Sequence, residues 1–192
     1  MTLTKKFLKA EALAGVRKGG KGDVEAGIDK YREYLALEGN ELDDDAWASL
    51  GGAYRRVGDL NQAIDCYAKA HEINPQSTYA LVNLVSLHAA RNTPADRMSL
   101  ETELPEVIRL CYQMIERPDA TFWNWYDLAT VQLIQGPPEQ AMRTLYHAVA
   151  LTPPAAKENF RSVANNLRFL QERNPAIAGL ADAIALVDQH AE

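Results

Sequence analysis

Residues 47–75 read WASLGGAYRRVGDLNQAIDCYAKAHEINP. Trp47, Leu50, Gly51 and Tyr54 fall three or four residues apart, one face of a helix, and Ala63, Tyr67 and Ala70 repeat that spacing after a break at Gly58. The pattern predicts two helices joined by a tight turn. Gly51, Ala63 and Ala70 are small enough to let the two backbones approach, and Trp47, Leu50, Tyr54 and Tyr67 fill the space around that contact. Gly58 can take the positive φ that ends a helix. Pro75 lacks an N–H and disfavours helical geometry at Asn74, so the second helix stops there. A lone pair of helices this short leaves apolar surface in water and needs stacked neighbours.

The same residues match W-x2-L-G-x2-Y, then A-x3-F, then P, with Tyr67 where Phe is usual, and the stretch therefore resembles a tetratricopeptide repeat. The resemblance implies an all-α fold, a tandem helix-turn-helix solenoid wound as a right-handed superhelix of about five helix pairs. Extended along the chain, it predicts a single domain over 1–192, with pairs near 4–43, 44–77, 78–121, 122–155 and 156–190.

Toward the N-terminus, an amphipathic helix is expected from about Thr4 to Lys18. Leu3, Phe7, Ala10 and Ala14 share one face, and Lys5, Lys6, Lys9, Arg17 and Lys18 lie elsewhere. GGKGD breaks it, and a second helix from Asp23 carries Gly27, Ile28, Tyr31 and Tyr34. Glu11 stands where Trp is usual and Gly15 holds the small position, as in an end repeat with one face toward water. The basic cluster reads as a solvated helix face, with docking of an anionic partner as the alternative. The acidic run Glu41 to Asp45 is expected to cap the Trp47 helix.

Toward the C-terminus, Leu81, Leu84, Val85 and His88 keep the helical pattern, with His88 in the place of Tyr54 as a packing histidine. Trp125 lies 78 residues after Trp47, more than two repeats of about 34 residues require. The excess falls near 91–103, where Thr93-Pro94-Ala95-Asp96 resembles a helix start and predicts a short added helix. Pro105 is then expected to begin or kink the next helix, bearing Val107, Cys111 and Met114. A second clear repeat follows. Trp125, Leu128, Ala129, Gly136, Ala141, Ala148 and Pro153 match Trp47, Leu50, Gly51, Gly58, Ala63, Ala70 and Pro75, while Gln132 and Leu145 replace Tyr54 and Tyr67. A last pair runs from AKENFRSVANNLRFLQER into a helix opened by Pro175, with Ile177, Leu180, Ala181, Ile184 and Val187 on its buried face.

At 47% hydrophobic and 24% charged, 192 residues are enough for one compact domain or a short array. The net charge of −6 argues against nucleic acid or anionic membrane as a partner, and neither a signal peptide nor a membrane-spanning run is present, so the expected location is cytoplasmic. Cys66 and Cys111 lack metal or redox spacing and read as reduced thiols in or near the core. No phosphate loop, H-E-x-x-H or serine elbow occurs, and the four histidines are scattered over separate helices. No enzyme activity and no cofactor are expected.

The resemblance implies that the first helix of each pair lines a concave groove. Its partner-facing positions here include Arg55, Arg56, Tyr79, Asn83, Trp123, Tyr126, Asp127, Thr130, Lys157, Phe160, Arg161 and Arg168. Lys157 and Arg161 fit the last part of the family's clamp for C-terminal carboxylates, whereas Val82, Ser86 and Asp127 depart from the rest. Trp123 and Trp125 stand two residues apart and so point about 200° from each other around a helix. Trp125 falls on the packing stripe and Trp123 in the groove. The expected function is a non-catalytic scaffold or adaptor that binds a segment of a partner protein. The alternative is a structural, self-associating subunit of a larger assembly.

Overall fold

A computed structural model describes residues 3–18 and 20–192 and, within them, every side chain except those of 3–6 and 18. The expectations on Gly19 and on the side chains of Leu3, Lys5, Lys6 and Lys18 lie outside the described residues. Among the described residues there are ten helices and no strand: α1 (Leu3–Lys18), α2 (Lys21–Leu35), α3 (Asp44–Val57), α4 (Leu60–Ile73), α5 (Thr78–Arg91), α6 (Pro94–Ile115), α7 (Phe122–Gln135), α8 (Pro138–Leu151), α9 (Lys157–Arg173) and α10 (Leu180–Ala191). They form two compact units, 1–84 and 85–192, whose boundary falls within α5.

In the first unit, small residues set how closely the helices of a pair approach. A Cβ on Gly27 of α2 would sit 3.0 Å from the Ala12 carbonyl oxygen and 3.1 Å from the Val16 nitrogen of α1. One on Gly51 of α3 would sit 3.0 Å from the Tyr67 ring of α4. Gly58, at φ 89°, ends α3, and the Asp59 carboxylate caps α4 by accepting from the Gln62 N–H. The acidic run does cap: Asp43 accepts from the Ala46 N–H at 2.9 Å. Asp43 also accepts from Lys9 Nζ at 2.8 Å and from the Tyr34 hydroxyl at 2.7 Å, which ties α1 and α2 to the start of α3. Tyr31, Tyr34 and Tyr67 are the enclosed aromatics of this unit. Trp47 is only half-buried, its indole N–H donating to the Glu41 carbonyl at 2.9 Å.

The second unit corrects the expected short helix at 91–103. Thr93 and Asp96 do form a capping box, but the helix they open runs unbroken through Pro105 to Ile115, 22 residues against 14 in α4. Pro105 is exposed, so the carbonyl that its missing N–H leaves unpaired can be hydrated. Asn92, at φ 51°, makes the turn from α5, a conformation that Asn tolerates better than most residues. Asp96, 1% exposed, receives Arg91 through Nε at 2.9 Å and Nη2 at 2.6 Å, and the Thr93 hydroxyl at 2.7 Å. Burial alone would raise its pKa, but Arg91 and Thr93 hold it well below the usual carboxylate range. His88 is buried as expected, with Nδ1 2.8 Å from Glu103 Oε2. The extra turns of α6 are thus pinned to α5 by a polar cluster.

The final pair also departs from expectation. Residues 175–179 are a turn, and α10 begins at Leu180, after Gly179 at φ 82°. A Cβ on Gly179 would meet the Pro138 Cβ at 2.5 Å, so the turn lies directly against the start of α8. Leu180, Ile184 and Val187 face inward as expected, Ala183 and Leu186 join them, and Ala181 is exposed.

Candidate functional site

The twelve expected partner-facing residues divide into those left on the surface and those used by the fold. In the first unit, Arg55 Nη1 donates to Asn83 Oδ1 at 3.3 Å, and Asn83 Nδ2 donates to the Tyr79 carbonyl at 2.8 Å, so these three lie side by side on α3 and α5. Tyr79 is 52% exposed, its ring edge-on to Tyr67 with centroids 6.2 Å apart. Arg56 turns away from them, donating to the Val16 carbonyl at 2.7 Å near the end of α1.

In the second unit, Trp123 is 40% exposed and leans on Phe122, centroids 5.1 Å apart, and on Tyr126 at 6.0 Å. Trp125 is half-buried, with its ring 4.0 Å from that of His147, so the two tryptophans do part company as their spacing requires. Tyr126 is a correction: it is 3% exposed, with its hydroxyl 3.1 Å from Thr152 Oγ1, and belongs to the core. Thr130 donates to the Tyr126 carbonyl at 2.9 Å, within its own helix. Asp127 is half-buried and pairs with none of the other eleven. Burial raises its carboxyl to about 7.

The α9 residues need the larger correction. Phe160 is 1% exposed, and Ala164 and Leu167 are equally enclosed, so the face expected to line a groove is packed. Helix α10 covers it. Lys157 Nζ donates to the His190 carbonyl at 3.1 Å, Arg161 Nη2 donates to the Ala191 carbonyl at 3.2 Å, and Arg168 Nη2 pairs with Asp188 Oδ2 at 2.5 Å. The first two cations neutralise carbonyls at the C-terminal end of α10, where the helix dipole is negative. A carboxylate clamp built on Lys157 and Arg161 would have to break these bonds.

Both cysteines are buried. Burial pushes the Cys66 thiol up to about 12 and the Cys111 thiol up as well, with the Asp127 charge adding to the second. Neither supplies thiolate at neutral pH, which removes them as nucleophiles.

Phe122, which backs Trp123, lies outside the expected partner-facing positions, and the aromatic run FWNWY is its signal in the sequence. A second missed feature is an open cavity of 620 Å³ in the first unit, lined by Arg17, Lys21, Val24, Arg56 and Val57. Among the described residues, no helix is long and apolar enough to cross a membrane.

Residues 44–77 match the family model for the tetratricopeptide repeat. Over 83 residues, 43% of this chain, the sequence is 29% identical to the photosystem I assembly protein Ycf3 of Prochlorococcus marinus (strain MIT 9211). The match spans about half of that relative, 48% of its length. Among solved structures, one of the MamA protein is similar at TM-score 0.50 and 19% identity, covering 100% of this chain and 91% of its own. A Podosopora anserina putative kinesin light chain with nearly identical TPR-like repeats is similar at TM-score 0.53 and 14% identity, covering 100% and 99%. At such identities the structures speak for the fold alone.

Proposed function

This chain carries a tetratricopeptide repeat and has the fold of such helical-repeat proteins, and from that premise we propose that it is a non-catalytic, cytoplasmic scaffold that binds a segment of another protein. The observation that carries the reading is Trp123, a large aromatic left 40% exposed on the first helix of a repeat and stiffened from beneath by Phe122 and Tyr126. A rigid, half-wet tryptophan is a typical binding anchor, because it contributes much apolar area for little lost side-chain freedom. In the first unit, Tyr79, Asn83 and Arg55 supply an aromatic ring with adjoining polar groups of the kind that orient a bound backbone. The name of the Prochlorococcus relative, an assembly protein, agrees with a scaffold role, although only about half of that protein is matched.

Site-specific photo-crosslinking tests the reading, with a photoreactive tryptophan analogue that keeps the indole ring at 123 in one protein and a photoreactive residue at exposed Tyr146 in another. The expected result is one specific adduct from position 123, lost on competition with the unlabelled chain but retained with its Trp123→Ala variant. Equal competition by that variant would reject Trp123 as the anchor. A second reading, a self-associating subunit, is favoured by Met98, 70% exposed on the added turns of α6. Light scattering over a range of concentrations separates the two, since a persistent monomer excludes the second.

A further inference from the structure

The cavity between the ends of α1 and α3 and the start of α2 brings three cations together in a chain whose net charge is −6. Arg17 comes from the last turn of α1, Lys21 is the first residue of α2, and Arg56 comes from the last turn of α3. Val24 and Val57 also line it, and among the described residues the lining contains no carboxylate. Arg17 and Lys21 make no ion pair among the described residues, whereas Lys9 on the same helix as Arg17 is taken up by Asp43 and Asp45.

Helix electrostatics explains part of this arrangement only. Cations are favoured at helix C-termini, which accounts for Arg17 and Arg56. Lys21 sits at a helix N-terminus, where the dipole disfavours positive charge, and Gly20 before it provides no side-chain cap. Asp23 answers the uncapped end, its Oδ2 coming within 3.0 Å of the position a Gly20 Cβ would take, but it does not line the cavity. Three like charges held around one space repel one another unless an anion joins them.

We propose that this cavity binds a phosphoryl group through Arg17, Lys21 and Arg56. Two guanidiniums present planar forks of donors suited to tetrahedral oxyanions, and an ammonium adds a third positive charge, more than a single carboxylate would balance. Arg56 is already oriented, because its bond to the Val16 carbonyl occupies one of its five donors and restrains a side chain that lines the cavity. The site belongs to the first unit and Trp123 to the second, and the proposal does not depend on the scaffold reading.

The test is a titration of the isotope-labelled chain with inorganic phosphate, followed by amide chemical shifts at constant ionic strength. Saturable shifts are expected at Arg17, Lys21, Val24 and Val57, and the double variant Arg17→Gln/Lys21→Gln should bind about tenfold or more weakly. Both side chains are exposed, so the variant is expected to keep its helical circular dichroism. Equal shifts from chloride at matched ionic strength, or unchanged phosphate affinity in the folded double variant, would overturn the proposal. A peptide bearing phosphoserine, compared with its unphosphorylated form and with inorganic phosphate, identifies the source. Tighter binding of the phosphopeptide assigns the site to a modified partner protein, and equal affinity assigns it to a free phosphate compound. Trp123→Ala should leave both titrations unchanged, which separates this site from the scaffold reading.

Discussion

The pair α3 and α4 and the pair α9 and α10 begin from the same kind of sequence, an amphipathic helix joined by a turn to a second helix, and use their first helix differently. In α3 the residues at the repeat's packing positions, Leu50 and Gly51, are buried, while Arg55 and Arg56 keep polar contacts at the surface. In α9 Phe160, expected in the groove, is buried together with Val163, Ala164 and Leu167, while Ser162 and Asn166 are exposed. The apolar residues of α9 decide this: 160, 163, 164, 167 and 170 form one helical stripe, and that stripe turns to the core whatever register the repeat count assigns. A motif with small residues at its close contacts fixes which face packs. Where the motif has eroded, apolar periodicity governs.

The largest effects are expected at the enclosed aromatics of the two pairs. Tyr67→Ala in the first pair and Phe160→Ala in the last should each cost roughly 3–5 kcal/mol in urea titration, since both rings are 1% exposed. A loss below about 1 kcal/mol for Phe160→Ala would return that ring to the surface. Trp47→Ala and Trp125→Ala should cost less, about 1–3 kcal/mol, because both indoles are half-buried.

The next effect depends on pH. Asp127 has its carboxyl raised to about 7 by burial, against about 3.9 in the unfolded chain, so between those values the folded state holds a proton that the unfolded state has released. Stability therefore falls as pH rises through that window, and the whole penalty is present above pH 7. Asp127→Asn should raise the melting temperature by about 2–4 °C at pH 8 and leave it nearly unchanged at pH 4. An increase of equal size at both pH values would contradict the assignment. The smallest effect belongs to Trp123→Ala, which should change stability by no more than about 0.5 kcal/mol.

Much of this architecture is legible in the residues. Trp47, Gly51, Gly58, Tyr67 and Pro75 identify one helix pair by their chemistry, and the match of Trp125 through Pro153 identifies another. The Thr93–Asp96 start is legible too, because capping needs a hydroxyl and a carboxylate three residues apart. Its outcome is not, since whether a helix continues through Pro105 depends on that residue facing water. The surface site is legible at Trp123, where a two-residue spacing separates the indoles, and illegible at Lys157 and Arg161. Their partners are backbone carbonyls 33 and 30 residues away, exposed only because α10 ends there. The cavity at Arg17, Lys21 and Arg56 joins residues up to 39 apart in sequence, a juxtaposition that only folding supplies.

The claim that α10 closes the face of α9 otherwise read as a groove is tested most directly by thiol labelling. The native cysteines are buried and hold their protons, so an added cysteine can be followed against a slow background. Under native conditions, maleimide should modify Trp123→Cys rapidly and Leu167→Cys no faster than the native thiols. Labelling of Leu167→Cys at the rate of Trp123→Cys, in a protein that retains its helical signal, would contradict the account.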